Sequence, residues 1–129
     1  MSVMVEVSWG EMIDKVTILQ IKLARIQDPA KLANVQRELD ALAKARADAL
    51  ARSPRMAELE AELRWVNEVL WENEDVLRDL ERAKDYGPRF VEAARMAYRT
   101  NDRRAVVKRE INDLLGSAIV EEKSYAKYD

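Results

Sequence analysis

In the stretch MAELEAELRWVNEVLWENEDVLRDL, residues 56–80, seven apolar residues and one Asn recur at gaps that alternate between three and four. This spacing is typical of a helix that packs along one continuous seam, as in a coiled coil. One seam position is an Asn, and a buried Asn commonly fixes register or the choice of partner. The seam residues are Met56, Leu59, Leu63, Val66, Leu70, Asn73, Leu77 and Leu80.

The helix that contains this seam is predicted to span residues 54–84. Ser53 and Pro54 favour a helix start, and the DYGPRF motif favours a stop. At 1.5 Å per residue the helix is roughly 45 Å long, whereas a globule of this size is only about 28–35 Å across. We therefore expect residues 28–84 to project as a long antiparallel helical hairpin, and an exposed seam on it would favour self-association.

Capping residues mark the other helix starts. Ser8, followed by Glu11 three residues later, is a capping box and indicates a first helix over residues 9–27. Asp28 and Pro29 then begin the second helix. The preceding segment, VMVEVS, alternates apolar and polar side chains, which predicts a short extended arm.

The C-terminal third is predicted to contain two further helices. A short one, residues 89–98, is followed by Thr100, Asn101 and Asp102, which are all cap-forming residues. We expect the chain to break there and to begin a fifth helix that ends at the LLGS motif. The 129 residues thus predict a single all-α domain, a helical bundle with a long, coiled-coil-like antiparallel hairpin and a short N-terminal extended arm.

The composition restricts the chemistry that is available. The chain has no Cys and no His, which excludes disulfides, zinc fingers, thiol nucleophiles and imidazole bases. Any metal would need oxygen ligands, which favours Mg²⁺, Mn²⁺ or Ca²⁺. The N-terminus does not have the pattern of a signal peptide, and no stretch approaches the roughly 18 apolar residues that cross a bilayer. We expect a cytoplasmic protein with no membrane partner.

The segment YRTNDRRAVVKREIN, residues 98–112, is rich in bases. If a helix begins near Asn101, its free N–H groups form an anion site, and Arg99, Arg103 and Arg104 cluster at that end. The alternative is that these bases pair with the acidic third helix. Nucleic-acid binding is not expected, because the basic segment is short and the net charge is −2.

Two pairs of carboxylates, Glu11 with Asp14 and Glu72 with Asp75, are each spaced i, i+3 on one helix face. If the two pairs face each other, they could hold Mg²⁺. The arrangement resembles that of the all-helical nucleotide pyrophosphatases, which use Glu-x-x-Glu and Glu-x-x-Asp helices, although the first pair here lacks the second Glu. The resemblance implies an Mg²⁺-dependent hydrolase. The alternative is capping and ion pairing within the chain.

A further candidate site is a polar face of the third predicted helix. Asn67, Trp71 and Glu74 lie at i, i+4 and i+7 and so share that face. If the face is buried, bases of other helices must pair with it. We therefore expect a charged site for an anionic or polar ligand between the first, third and fifth helices. Its candidate ligand-binding residues are Lys15, Asn67, Trp71, Arg99, Asn101, Arg103, Arg104 and Lys108.

Three blocks of the sequence have a recognisable pattern: VSWGEMIDKVTILQIKLARI, VNEVLWENED and RFVEAARMAYRTNDRRAVVKREINDLLGSAIVEEKSYAKY. They resemble an uncharacterised family of small bacterial helical proteins, classed as a domain of unknown function. The resemblance brings no activity, substrate or cofactor. It implies that the family's pattern includes the EEKSY tail and Glu11, Asp14, Lys15, Asn67, Trp71, Glu74, Asp75, Asn101, Asp102, Arg103, Lys108 and Asn112.

Three functions remain open at this point. The leading one is an interaction or small-ligand-binding module that needs no cofactor, forms a homo-oligomer and takes a small anionic ligand or a protein partner. The second is an Mg²⁺-dependent nucleotide hydrolase that uses the four paired carboxylates as metal ligands. The third is a purely structural coiled-coil dimer, in which Asn73 would be buried against its symmetry mate. The sequence does not decide whether the chain is an enzyme.

Overall fold

The computed structural model describes residues 1–128, and within that range the chain forms four α-helices and no β-strand. The helices are α1 (Trp9–Arg25), α2 (Pro29–Arg52), α3 (Arg55–Arg82) and α4 (Pro88–Leu115). They pack against one another as a helical bundle, which confirms the predicted all-α class.

The helix ends follow from local side-chain chemistry. The Ser8 hydroxyl accepts a hydrogen bond from the backbone N–H of Glu11 at 3.1 Å, and Asp28 caps α2 with Pro29 in its first turn. Gly116 ends α4 in the left-handed conformation, with a φ of 64° that side chains other than glycine's rarely adopt. The predicted starts of the first two helices are confirmed.

The predicted break at residues 100–102 is wrong, because α4 passes through them without interruption. Buried and half-buried side chains continue through that point at gaps of three and four. They are Ala93, Ala97, Thr100, Arg104, Val107 and Ile111. Packing of this face against the bundle outweighs the capping preference of Thr100, Asn101 and Asp102. The fourth and fifth predicted helices are therefore one helix.

Helix α1 packs extensively against all three other helices, whereas α3 packs extensively only against α1 and α4. Trp9 lies against Arg52 of α2, whose guanidinium carbon is 4.8 Å from the centre of the indole ring. Further along, Lys15 pairs with Glu38 at 3.2 Å. As the residue numbers of these contacts rise along α1, the residue numbers of their partners in α2 fall, so the two helices are antiparallel.

The helices α3 and α4 form a second antiparallel pair. Glu62 of α3 contacts Arg103 of α4, and further along the Asn73 amide donates to the Ala93 carbonyl at 2.8 Å. Asn73 is 7% exposed and is therefore buried inside the chain. A purely structural dimer predicts instead that Asn73 is buried by a symmetry mate.

The predicted hairpin, residues 28–84, corresponds to α2 followed by α3. The two helices are joined by a 2.6 Å ion pair between Arg46 and Glu60. Their more extensive packing, however, is with other elements, since α2 lies mainly on α1 and α3 mainly on α4. How far this segment projects from the bundle stays a prediction.

The hydrophobic core is built by all four helices. Its buried members are Met12, Ile13, Val16, Ala49, Met56, Leu59, Leu63, Val107 and Ile111. None of the four helices is long and apolar enough to cross a membrane. Residues 1–7 are exposed and belong to no helix or strand, so the extended form of the N-terminal arm stays a prediction.

Candidate functional site

The C-terminal half of α4 presents a line of polar side chains to α1. Arg104, Lys108 and Asn112 are spaced four residues apart and so lie on one helix face. Each of them is hydrogen bonded to a residue of α1. We call this set the α1–α4 polar seam, and its members are Gly10, Glu11, Asp14, Arg104, Lys108 and Asn112.

The most deeply buried charge of the seam is Asp14, whose side chain is 2% exposed. Its two oxygens accept hydrogen bonds from two nitrogens of Arg104, with Nε at 2.9 Å. The Asn67 amide of α3 donates at 2.9 Å to Asp14 and at 2.9 Å to the Thr17 hydroxyl. The hydrogen bond with Asp14 raises the pKa of Arg104, although burial acts to lower it. Such a two-point, charge-assisted contact fixes the guanidinium in one orientation.

A second ion cluster forms around Lys108, whose side chain is 10% exposed. Its ammonium group donates to Glu11 at 2.8 Å and to Glu121 at 3.4 Å. Burial acts to lower the pKa of Lys108, but the hydrogen bond with Glu11 and the surrounding acids outweigh it and raise the pKa. The Glu11 carboxylate is thus bound to α4, so the predicted capping box is only half formed.

Gly10 allows α1 and α4 to approach closely at the end of the seam. Its backbone N–H donates to the Asn112 side-chain oxygen at 2.7 Å. A Cβ atom at this position would lie 2.5 Å from the Lys108 carbonyl oxygen, which is closer than nonbonded atoms can approach. Any side chain larger than hydrogen would therefore push the two helices apart.

Beside the seam, a cleft of about 340 Å³ opens between α1, α3 and α4. Its lining residues are Ile18, Ile21, Asn67, Leu70, Trp71, Asn73, Glu74, Ala97, Asn101 and Arg104. We call it the inter-helix cleft. Four of the eight predicted ligand-binding residues, Asn67, Trp71, Asn101 and Arg104, are brought together here.

The other four predicted ligand-binding residues lie outside the inter-helix cleft. Lys15 pairs with Glu38 of α2 at 3.2 Å, and Arg103 pairs with a carboxylate of α3. Lys108 belongs to the polar seam, and Arg99 is exposed. The anion site predicted at the start of a fifth helix does not form, because α4 is continuous.

The four predicted metal ligands are not brought together. Glu11 and Asp14 are bound by bases of α4, and Glu72 accepts a 2.8 Å hydrogen bond from Arg25. Asp75 is exposed on α3. Among residues 1–128, no three Asp or Glu side chains form a cluster that could hold a metal ion.

Two residues that take part in the hydrogen bonds in and around the α1–α4 polar seam were not predicted from the sequence. Thr17 is fully buried, and its hydroxyl both accepts from Asn67 and donates to the Asp14 carbonyl at 2.8 Å. Gly10 was not recognised as a point of close approach. The sequence did contain a signal for Gly10. Glycine destabilises a helix, so a glycine within a helix often marks a place where a neighbouring segment approaches closely.

Comparison with known families places the chain. Residues 3–128 match the family of unknown function DUF6165, so the chain belongs to this family. The predicted resemblance to an uncharacterised domain family is thereby confirmed. No curated protein and no solved structure matches the chain.

Proposed function

We propose that the chain is a small-ligand-binding module whose ligand occupies the inter-helix cleft. The supporting observation is the convergence of Asn67, Trp71, Asn101 and Arg104 on one cleft. Its volume of about 340 Å³ is within the range of small-molecule sites, roughly 300–1,000 Å³. An apolar lining with a few converging polar groups is also the usual composition of such sites.

The groups around the cleft favour a small organic anion with an apolar body. Arg104 uses Nε and Nη2 to bind Asp14, so Nη1 is left to meet a carboxylate of the ligand. The Asn101 amide adds a second donor, and the Trp71 indole supplies apolar surface. Glu74 also lines the cleft, but its charge is partly neutralised by a 2.8 Å ion pair within α3.

The proposal is tested by thermal shift of the purified protein against monocarboxylates, dicarboxylates, sugar phosphates and nucleotides. The expected result is a saturable rise in melting temperature with at least one carboxylate, since a ligand that binds only the folded state stabilises it. Trp71→Ala should abolish the rise. Trp65→Ala is the matched control, because Trp65 is 63% exposed and lies outside the cleft.

Two results would contradict the proposal. One is a rise that is the same in the Trp71→Ala variant and in the wild type. The other is the lack of any saturable rise with carboxylates of graded size.

We also propose that the chain self-associates through its N-terminal segment, residues 1–7. The supporting observation is that Val3, Val5 and Val7, which alternate along the segment, are 81%, 71% and 49% exposed although all three are apolar. A segment of alternating apolar residues with no strand partner within residues 1–128 is suited to pair with the same segment of a second copy. The seam predicted over residues 56–80 of α3 is less suited to self-association, because most of its side chains are buried within the chain.

Light scattering with size-exclusion chromatography tests the self-association. The wild type should elute as a dimer whose fraction rises with concentration, and Val5→Lys should elute as a monomer. Val91→Lys is the control, because Val91 is an exposed apolar residue of α4, 52% exposed, far along the chain from the segment. A monomeric wild type at all concentrations, or a dimeric Val5→Lys variant, would exclude this interface.

The remaining expectations have weaker support. No observation favours the Mg²⁺-dependent hydrolase, because the four carboxylates do not converge. A cytoplasmic location, a bacterial origin and the lack of nucleic-acid and membrane partners stay predictions.

A further inference from the structure

The C-terminal tail, residues 117–128, folds back along α4. Glu121 contacts Lys108 at 3.4 Å and Glu122 contacts Arg109 at 3.2 Å. Nearer the end of the tail, the Tyr128 hydroxyl donates to Asp102. From the Glu121–Lys108 contact to the Tyr128–Asp102 contact, the residue numbers rise along the tail and fall along α4, so the tail runs antiparallel to the helix and is attached to it at two separate places.

Between these attachments the tail and α4 enclose a cleft of about 850 Å³. Its lining residues are Tyr98, Asn101, Asp102, Arg104, Lys123, Tyr125, Ala126, Lys127 and Tyr128. We call it the tail cleft. It adjoins the inter-helix cleft, because Asn101 and Arg104 line both.

The charge of the tail cleft is positive. Three bases, Arg104, Lys123 and Lys127, line it together with one acid, Asp102. Asp102 already accepts a hydrogen bond from a tyrosine hydroxyl. Asp14 holds Nε and Nη2 of Arg104, which leaves Nη1 for a ligand. The Lys123 ammonium lies 3.5 Å from Glu121 in a partly exposed ion pair, and a doubly charged ligand can displace so weak a pairing.

Tyrosine rings form the apolar part of the tail cleft. The rings of Tyr98 and Tyr128 meet edge to face with centroids 5.1 Å apart. The Tyr125 ring is 75% exposed and has the Lys123 ammonium 5.6 Å from its centre. A planar ring stacked on Tyr125 would cover this exposed face, and stacking favours aromatic partners over aliphatic ones.

We propose that the tail cleft is a binding site for a small aromatic phosphate. The ammonium groups of Lys123 and Lys127 contact the phosphoryl oxygens, and the aromatic ring of the ligand packs against Tyr125. A cleft lined by three cationic side chains and one carboxylate favours a doubly charged anion over a singly charged one. The site adjoins the carboxylate site proposed above and shares Asn101 and Arg104 with it, but its lysines and its tyrosine ring come from the tail and do not line the inter-helix cleft.

Isothermal titration with three probes tests both halves of the site. Phenyl phosphate carries ring and charge, inorganic phosphate carries charge alone, and phenol carries the ring alone. Phenyl phosphate should bind saturably and more tightly than either of the other two. Raising the salt concentration should weaken its binding, because the contacts are ionic and partly exposed.

Variants of the tail identify the residues. Lys123→Gln with Lys127→Gln should weaken phenyl phosphate binding by about tenfold or more, the loss expected for charge-assisted hydrogen bonds. The control with the same change in charge is Lys31→Gln with Lys44→Gln, two exposed lysines of α2, and it should bind as the wild type does. Tyr125→Leu should weaken phenyl phosphate binding and leave inorganic phosphate binding unchanged.

The variants change exposed tail residues outside the four helices, so the fold should survive them, and an unchanged circular dichroism melt checks this. The proposal is overturned if phenyl phosphate does not bind the wild type, or if the tail double substitution and the α2 control substitution weaken phenyl phosphate binding equally. Trp71→Ala separates this site from the inter-helix cleft, because it should leave phenyl phosphate binding intact.

Discussion

Replacing Arg104 by Met should cost the fold much of its stability, because it leaves the buried Asp14 carboxylate without its cation. In the folded chain Asp14 is 2% exposed and accepts two hydrogen bonds from the guanidinium. After the substitution only the Asn67 amide, at 2.9 Å, would remain as a side-chain donor to the carboxylate. A buried charge with so few partners is strongly disfavoured.

The size of the loss follows from the burial of the pair. Removing one partner of a fully buried ion pair costs about 3–5 kcal/mol. The Arg104 side chain is 30% exposed, so water can enter the space it leaves and solvate Asp14 in part. We therefore expect a decrease in the free energy of unfolding of about 2–3 kcal/mol, at or just below the lower end of that range. Removing both charges with Asp14→Leu and Arg104→Met should cost less than this single change, since no charge stays buried.

Urea denaturation followed by far-ultraviolet circular dichroism measures these differences. Arg103→Met is the control on the adjacent residue, because its ion pair with Glu62 is partly exposed and should contribute less than about 1 kcal/mol. A loss below about 0.5 kcal/mol, the usual scatter for surface changes, would refute the account of Asp14 as a buried charge.

Three other predictions concern the packing of α4 and the tail. Gly10→Ala should destabilise the fold by about 1–3 kcal/mol in the same urea assay, because its Cβ would lie 2.5 Å from the Lys108 carbonyl oxygen; an unchanged midpoint would show that the helices can separate freely. Asn73→Ala should cost about 0.5–1.5 kcal/mol, since it removes the 2.8 Å hydrogen bond from the buried amide to the Ala93 carbonyl, and a loss within experimental error would mean that water replaces the amide. Burial acts to raise the pKa of Glu121, but attraction to Lys108 and Lys123 and the hydrogen bonds with both together outweigh it and lower the pKa. The contact between Glu121 and Lys108 is therefore fully present above the ordinary glutamate pKa of about 4.3 and is lost as the pH falls through the lowered value. Hydrogen exchange of the tail should be constant near neutral pH after correction for intrinsic rates and should accelerate only in acid, and acceleration between neutral and mildly acidic pH would contradict this.

Where the sequence predicted helix boundaries, the signal was local. Ser8 and Asp28 are capping residues directly before a run of helical spacing, and the structure begins α1 and α2 directly after them. Such signals involve only three or four consecutive residues. They can be recognised without knowing what the helix packs against.

The prediction of a break inside α4 was wrong because cap-forming residues can also occur inside a helix. Thr100, Asn101 and Asp102 are good caps at a helix start, yet each is tolerated inside a helix when the flanking turns are held by packing. The face that packs includes Ala93 and Arg104. Small and charged residues do not stand out as core positions, so the continuous face was not apparent from hydrophobicity alone.

The sequence predicted several residues of the candidate site but not which of them pair with one another. Asn67, Trp71 and Arg104 were all named as ligand-binding candidates, and the structure places them around one cleft. Asp14, by contrast, was considered as a metal ligand because Glu11 lies three residues before it on the same helix face. Its actual partner, Arg104, is 90 residues away, and contacts at such separations depend on how the helices pack, which local spacing does not specify.

The pairing of Asp14 with Arg104 is better explained by positioning than by stability. A buried ion pair is often no more stable than an apolar pair of similar volume, because removing two charges from water offsets their attraction. What the pair does provide is orientation, since two hydrogen bonds hold the guanidinium at a wall that both clefts share. A ligand that meets Nη1 of Arg104 in either cleft therefore need not order a free arginine side chain on binding, which lowers the entropic cost of association. On this account an Arg104→Met protein that still folds should bind carboxylates and phenyl phosphate more weakly. Trp71→Ala should then affect only the former, and the paired lysine substitution only the latter.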